Sequence, residues 1–129
     1  MDKVVHFEIP VTDVEKAKKF YATVFDWQLE SYPEMNYTIC RTVPVDDNMM
    51  PKEVGGINGG LFVRADLKEI KSPVVTINVA SIDVSAKKLE KAGGKMVKGK
   101  FPVADMGFAA YFKDPEGNVL GLWENAKKE

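Results

Sequence analysis

Two residues near the start of the chain have side chains that could carry acid–base or metal chemistry together. His6 and Glu8 lie two positions apart in a segment whose apolar residues alternate, so both are expected on one face of a β-strand. An imidazole titrates near neutral pH, and a neighbouring carboxylate could orient the ring and raise its pKa. The pair is therefore a candidate acid–base group or polar anchor for a ligand. The alternative is that His6 is an ordinary strand residue with satisfied hydrogen bonds.

Other chemistries find little support in the sequence. Cys40 is the only cysteine, so one chain can form neither an internal disulfide nor a thiolate zinc cluster. Asp114 lies in an Asp-Pro-Glu-Gly-Asn sequence that is typical of a tight turn. No glycine-rich loop opens a predicted helix, and no serine lies in a nucleophile elbow.

Composition and charge restrict the class of protein further. Of the 129 residues, 45% are hydrophobic and 29% are charged, as in an ordinary globular domain. The 18 basic and 19 acidic residues nearly balance, which argues against nucleic acid as a partner. The N-terminal residues lack the apolar run of a signal peptide, and nothing approaches a membrane-spanning length. The expectation is a cytoplasmic protein with no nucleic-acid or membrane partner.

The apolar pattern predicts the same series of elements twice. Each series consists of a strand, a helix and three further strands. In the first, Thr12 and Glu15 predict a capping box at the helix start, and the helix should end near Asp26. The first series has strands at residues 3–11, 27–32, 36–43 and 57–65, with a loop at 44–56. The second has a strand at 74–79, a helix at 82–92, and strands at 95–98, 108–113 and 119–124, with a loop at 99–107.

Matching segments support an internal duplication. Ile9 and Val11 align with Ile77 and Val79, and the helix residues 17–20 align with residues 86–89. The glycine-led segment at residues 60–62 aligns with residues 121–123. The order of elements is shared as well, so a repeated βαβββ unit accounts for the set.

Both ends of the chain resemble the vicinal oxygen chelate superfamily, which contains glyoxalases, bleomycin resistance proteins and extradiol dioxygenases. The opening match is residues 6–13 (HFEIPVTD) with residues 19–21 and 25–27, and the closing match is residues 111–123 (YFKDPEGNVLGLW). The resemblance implies an α+β fold of two tandem βαβββ modules that form a cupped mixed sheet with helices on the convex side. It further implies a single domain over residues 1–129, with module one at about 1–66 and module two at about 72–125, and a homodimer.

The resemblance also implies where a metal ion would bind. Metal-dependent members take ligands, often His, Gln or Glu, from the first and last strands of each module. The matching positions here are His6, Gly60, Val74 and Gly121, and three of these four have no donor atom. Catalytic metal sites usually have about three protein ligands. No cofactor is therefore expected, with His6 a weak metal candidate. The alternative is a divalent metal held by His6 and Glu8 with non-standard ligands.

The concave face of the implied cup is expected to be a largely apolar binding site with a few polar groups. Glycine at positions 60 and 121 should leave room for a flat ligand. The alternative is that aromatic side chains fill the cup as core. The expected ligand-binding residues are His6, Glu8, Tyr37, Asn58, Gly60, Phe62, Thr76, Asn78, Gly121 and Trp123.

Three functions are consistent with these residues. The favoured one is a protein of the bleomycin-resistance type that binds a small hydrophobic or aromatic molecule without a metal. The second is a metal-dependent lyase, isomerase or dioxygenase that uses His6 and Glu8. The third is a non-catalytic dimeric interaction protein. Whether the chain is an enzyme is left open by the three ligand positions that cannot coordinate a metal.

Overall fold

The computed structural model describes residues 1–127, in which the chain divides into two compact units. One unit is His6–Pro73, which we call module one, and the other contains Met1–Val5 and the described residues from Val74 onward, which we call module two. The boundary lies inside the first strand, so Val4 and Val5 of that strand are in module two. The first residues belong to module two because the backbone carbonyl of Lys3 accepts a 2.9 Å hydrogen bond from the amide of Asn78. The α+β class with two tandem βαβββ modules is confirmed.

Module one is a four-stranded mixed sheet with one long helix. Its strands lie in the order β2-β3-β4-β1, where β1 and β4 are parallel and the other neighbours are antiparallel. Short 3-10 turns at Pro33–Met35 and Arg64–Asp66 follow β2 and β4. The bounds are β1 Val4–Val11, α1 Val14–Phe25, β2 Gln28–Tyr32, β3 Tyr37–Arg41 and β4 Gly59–Val63.

Module two repeats this arrangement. Its strands lie in the order β5-β8-β7-β6, with β5 and β8 parallel and the others antiparallel. The bounds are β5 Val74–Asn78, α2 Ile82–Lys91, β6 Lys95–Val103, β7 Gly107–Lys113 and β8 Val119–Asn125. Within residues 1–127 no helix has both the length and the apolar character needed to cross a membrane.

The strand registers agree with the duplication residue by residue. In module one Glu8 pairs with Gly60, and in module two Thr76 pairs with Gly121. These are the positions that the sequence alignment makes equivalent. Each module therefore brings its first and last strands together at the same point, with a glycine on the last strand.

Each helix packs on one face of its own sheet. In module one, Val11, Cys40 and Leu61 form a buried cluster. Val14, Ala17 and Tyr21 of α1 pack against it. In module two the corresponding cluster is Val79, Ile82, Ala110 and Leu122. Since side chains alternate along a strand, the residues between these core positions, including His6 and Glu8, point to the opposite face.

Two predicted details of the elements are wrong. The side chain of Asp13, not Thr12, accepts the hydrogen bond from the Lys16 amide and caps α1, so the predicted capping box does not form. Residues 99–103 are strand rather than loop, because β6 continues to Val103 through two register shifts. The edge position of β6 tolerates the missing amide hydrogen of Pro102.

Leu61→Ala should destabilise module one by about 2–5 kcal/mol, because Leu61 is 1% exposed and its truncation leaves a cavity beneath α1. Urea unfolding followed by circular dichroism measures the loss. Val54→Ala is the matched control, since Val54 is fully exposed and should unfold at the wild-type midpoint. Equal midpoints for the two variants would contradict this assignment of the core.

Candidate functional site

A histidine and a tyrosine meet on the face of module one opposite α1. His6 lies on β1 and Tyr37 opens β3, and the two strands flank β4 on either side. The Nε2 atom of His6 is 2.8 Å from the hydroxyl oxygen of Tyr37. This hydrogen bond reaches across β4, so it depends on the registers of both strand pairs. It is the central polar contact of the candidate site.

The bond passes over Gly60, which has no side chain to obstruct it. A Cβ atom added at Gly60 would overlap the hydroxyl and ring carbons of Tyr37. We call this space above Gly60 and beside His6 the Gly60 recess. The prediction that Gly60 leaves room for a flat ligand is therefore wrong, because the phenol ring of Tyr37 fills this space.

Glu8 completes the polar group. Glu8 is 7% exposed, and its Oε2 atom lies 3.9 Å from the Nε2 atom of His6. Glu8 stands beside Gly60 in the parallel β1–β4 register. The predicted proximity of His6 and Glu8 is thus present, with Tyr37 as the closer partner of the imidazole.

The pKa of His6 lies below its ordinary value of 6.5, which is opposite to the predicted direction. Burial of the ring is the largest cause, because it disfavours the charged form. The Glu8 carboxylate and a hydrogen bond to the Asn58 backbone act in the raising direction but are smaller. The imidazole is therefore neutral at pH 7.

The ring of His6 has hydrogen-bond partners from two other segments of module one. The Tyr37 hydroxyl lies 2.8 Å from Nε2, and the Asn58 backbone is the second partner. An imidazole nitrogen donates or accepts according to the tautomer, and a phenol hydroxyl can do either, so both directions of the His6–Tyr37 bond are chemically allowed.

Two other predicted residues of module one have structural roles. The Oδ1 atom of Asn58 accepts hydrogen bonds from the amides of Thr42 and Val43, at 2.7 and 3.0 Å. Its side-chain oxygen therefore fixes the end of β3. Phe62 is 5% exposed and stands opposite Tyr37 in the β3–β4 register, so it contributes apolar surface beside the tyrosine.

The predicted residues of module two form their own contacts. Thr76 is buried, and its Oγ1 lies 2.8 Å from the point that a Cβ of Gly121 would occupy. The side-chain amide of Asn78 donates to the backbone carbonyl of Trp123 at 3.0 Å, and the indole of Trp123 donates to Asn125 at 2.8 Å. A threonine thus covers Gly121, whereas a tyrosine covers Gly60.

The residues of neither module fit the metal ion that the resemblance implies. Val74 is 1% exposed and apolar, and Gly60 is covered by the Tyr37 hydroxyl. The Nε2 atom of His6, which a metal would need, is already hydrogen-bonded to the Tyr37 hydroxyl. Across residues 1–127 no three His, Cys, Asp or Glu side chains are grouped to hold an ion.

Two further reactive groups are excluded as nucleophiles or bases. Cys40 is fully buried in the core of module one, and burial raises the pKa of its thiol to about 12. Asp114 accepts hydrogen bonds from Asn118 and from the Glu116 amide, which hold the pKa of its carboxyl below the ordinary value. Its role is to hold the turn before β8, as the sequence indicates.

A shallow depression elsewhere lacks the features of a binding site. It measures about 380 Å³ and lies within module two. Its walls are open and mainly polar, and they contain neither a histidine nor an aromatic ring. The residues that line it are Met1, Asp2, Lys3, Asn78, Val79, Ala80 and Asn125.

Sequence reasoning found the members of the site but not their arrangement. The sequence indicates only that Tyr37 or Arg41 could supply a polar group from a neighbouring strand. The bond from Tyr37 to His6 joins residues 31 positions apart and requires both the β3–β4 and β1–β4 registers. Arg41 instead pairs with Glu30 on β2 at 3.4 Å.

Sequence comparison matches part of the chain to a described family and most of the chain to a curated protein. Residues 3–42 match the family described as Bleomycin resistance protein-like N-terminal. "Putative glyoxylase CFP32" of Mycobacterium bovis (strain ATCC BAA-935 / AF2122/97) is 28% identical over 134 residues, which cover 91% of this chain and 43% of that protein. The chain therefore spans less than half the length of the curated relatives it matches.

Solved structures share the fold at low identity. A hypothetical protein from Bacillus halodurans C-125 superposes with a TM-score of 0.65 at 17% identity, covering 99% of this chain and 97% of the other. Methylmalonyl-CoA epimerase from Mycobacterium tuberculosis gives 0.59 at 16% identity, covering 96% and 88%. At these identities the likeness establishes the architecture alone.

The His6 ring should titrate with a midpoint below 6.5, and the folded protein should lose stability in acid accordingly. Because the unfolded chain takes up the proton first, the contribution of the neutral ring is complete above pH 6.5. It is lost as the pH falls through the folded pKa. Proton NMR of this single histidine measures the midpoint, with the chain in concentrated urea as reference. A folded midpoint at or above the urea value would contradict the dominance of burial.

Gly60→Ala should destabilise the protein by about 1–3 kcal/mol, because the new methyl group displaces the Tyr37 ring and leaves Nε2 of His6 unpaired. Urea unfolding gives the free-energy change. Gly99→Ala is the matched control, since a Cβ at Gly99 meets nothing within 4 Å. Wild-type stability of Gly60→Ala with unchanged Tyr37 NMR signals would disprove the close contact.

Proposed function

We propose that this chain is a glyoxalase/bleomycin-resistance-like protein of the vicinal oxygen chelate superfamily, and that it binds a small hydrophobic or aromatic molecule without a metal ion. The observation that carries the proposal is the His6–Tyr37 hydrogen bond above Gly60. It replaces a metal-ligand position by an aromatic ring and directs a neutral polar pair to the face opposite the helix.

This face combines the properties of a small-molecule site. The Tyr37 ring and the neighbouring Phe62 supply apolar aromatic surface, while His6 and Glu8 supply a few polar atoms. The His6 side chain is 34% exposed, so a solute can reach the imidazole edge.

Metal-dependent chemistry is less well supported. The relative named as a glyoxylase and the epimerase of the same fold are enzymes by name, which makes catalysis the natural alternative for this chain. That alternative needs a ligand set, and the side chains at positions 60, 74 and 121 provide none. We therefore propose that the ligand binds on this face without a metal ion.

We further propose that the protein acts as a cytoplasmic homodimer. The superfamily resemblance and the single, buried, protonated Cys40 support this proposal, since an intracellular chain needs no disulfide. A non-catalytic interaction protein would also dimerise, so the dimer alone does not separate the two functions. Ligand binding does.

The test combines native mass spectrometry and elemental analysis of the purified protein with an NMR screen of aromatic fragments in the presence of EDTA. We expect no stoichiometric metal, and fragment binding that shifts the His6 ring signals without affecting the exposed Val54 methyl groups. One transition metal per chain would favour the metal-dependent alternative. A dimer that binds no aromatic fragment would favour the interaction protein.

A further inference from the structure

The Gly60 recess already contains a ligand-like group, the phenol of Tyr37. The ring lies where a side chain of residue 60 would be, and its hydroxyl oxygen is 2.8 Å from Nε2 of His6. The space above Gly60 thus holds a flat ring against bare backbone, with a hydrogen-bonding nitrogen at its end.

We propose that the Gly60 recess is a phenol-binding site and that Tyr37 is its internal competitor. An external aryl hydroxyl forms the hydrogen bond to Nε2 of His6 in place of the tyrosine, and its ring lies over Gly60 when Tyr37 rotates away. This inference rests on the proposed function and specifies its ligand class.

The polar atoms of the recess favour a ligand with a hydroxyl group. Nε2 of His6 already forms a hydrogen bond with a phenol oxygen at 2.8 Å. An aromatic ring without a hydroxyl cannot replace this bond, which a hydrogen-bonding site penalises. An aryl carboxylate would meet the Glu8 carboxylate, whose Oε2 atom is 3.9 Å from Nε2.

The position of Tyr37 in the chain permits the exchange. Tyr37 is the first residue of β3 and follows Asn36, whose φ of 50° closes the 3-10 turn Pro33–Met35. The side chain is half-buried, so rotation about its χ1 angle carries the ring from the hairpin end toward solvent. The β1–β4 pairing that holds His6 and Gly60 does not include Tyr37 and is left intact.

An internal competitor lowers the apparent affinity by the fraction of molecules in which the recess is open. Removing the competitor should therefore raise the affinity for an external phenol. In Tyr37→Ala the recess is permanently open and has the shape of the lost ring. The affinity for p-cresol should rise by about tenfold or more over the wild type.

The experiment titrates p-cresol and toluene into four full-length proteins by isothermal calorimetry, with His6 and tyrosine NMR signals as site reporters. The proteins are wild type, Tyr37→Ala, Tyr37→Ala with His6→Leu, and Tyr32→Ala. Tyr32→Ala is the control, because the neighbouring Tyr32 hydroxyl is directed to Glu30. We expect Tyr37→Ala to prefer p-cresol over toluene by about tenfold or more, and the His6→Leu background to remove this preference. Tyr32→Ala should match the wild type.

Each other outcome overturns the inference. Equal binding of p-cresol and toluene by Tyr37→Ala would disprove phenol selection, while the broader proposal of aromatic binding would stand. Binding of p-cresol to the wild type without displacement of the Tyr37 signals would disprove competition at the recess. If Tyr37→Ala does not fold, Tyr37→Leu, which also lacks the ring, replaces it, and p-cresol binding no tighter than in the wild type then rejects the inference.

Discussion

The absence of a side chain at residue 60 is the constraint on which the candidate site depends. Only glycine allows the phenol of Tyr37 to lie against the backbone of β4, and only there can its hydroxyl reach the ring of His6. The backbone of Asn58 is the second hydrogen-bond partner of this ring. One missing methyl group thus brings a tyrosine into contact with the only histidine of the chain.

The balance of forces on that histidine explains its neutrality. Glu8 is near, but its Oε2 atom lies 3.9 Å from Nε2, whereas the Tyr37 hydroxyl lies 2.8 Å from the same nitrogen. A charged ring would lose more hydration than this carboxylate returns, so burial determines the direction of the pKa. The partner of this neutral imidazole is the phenol of Tyr37, which is also uncharged at neutral pH.

Most of the fold could be predicted from the sequence, because alternation and helix periodicity are local signals. The exceptions have physical causes: Gly99 and Pro102 suggest a loop, yet an edge strand with bulges accommodates both. Thr12 and Asp13 are both chemically suitable helix caps, so residue type does not distinguish them, and the structure has Asp13 in this role. The Tyr37–His6 bond could not be predicted, since two strand registers must be known before residues 31 apart can be placed together.

The equal registers of the two modules have an evolutionary consequence. Glu8 opposite Gly60 and Thr76 opposite Gly121 occupy the same place in two copies of one frame, yet a phenol covers the first glycine and a small hydroxyl group lies against the second. Once a unit has been duplicated, mutations can specialise one copy while the other preserves the ancestral packing. In this chain the backbone geometry was inherited twice, and the chemical identity diverged through the residues that cover each glycine.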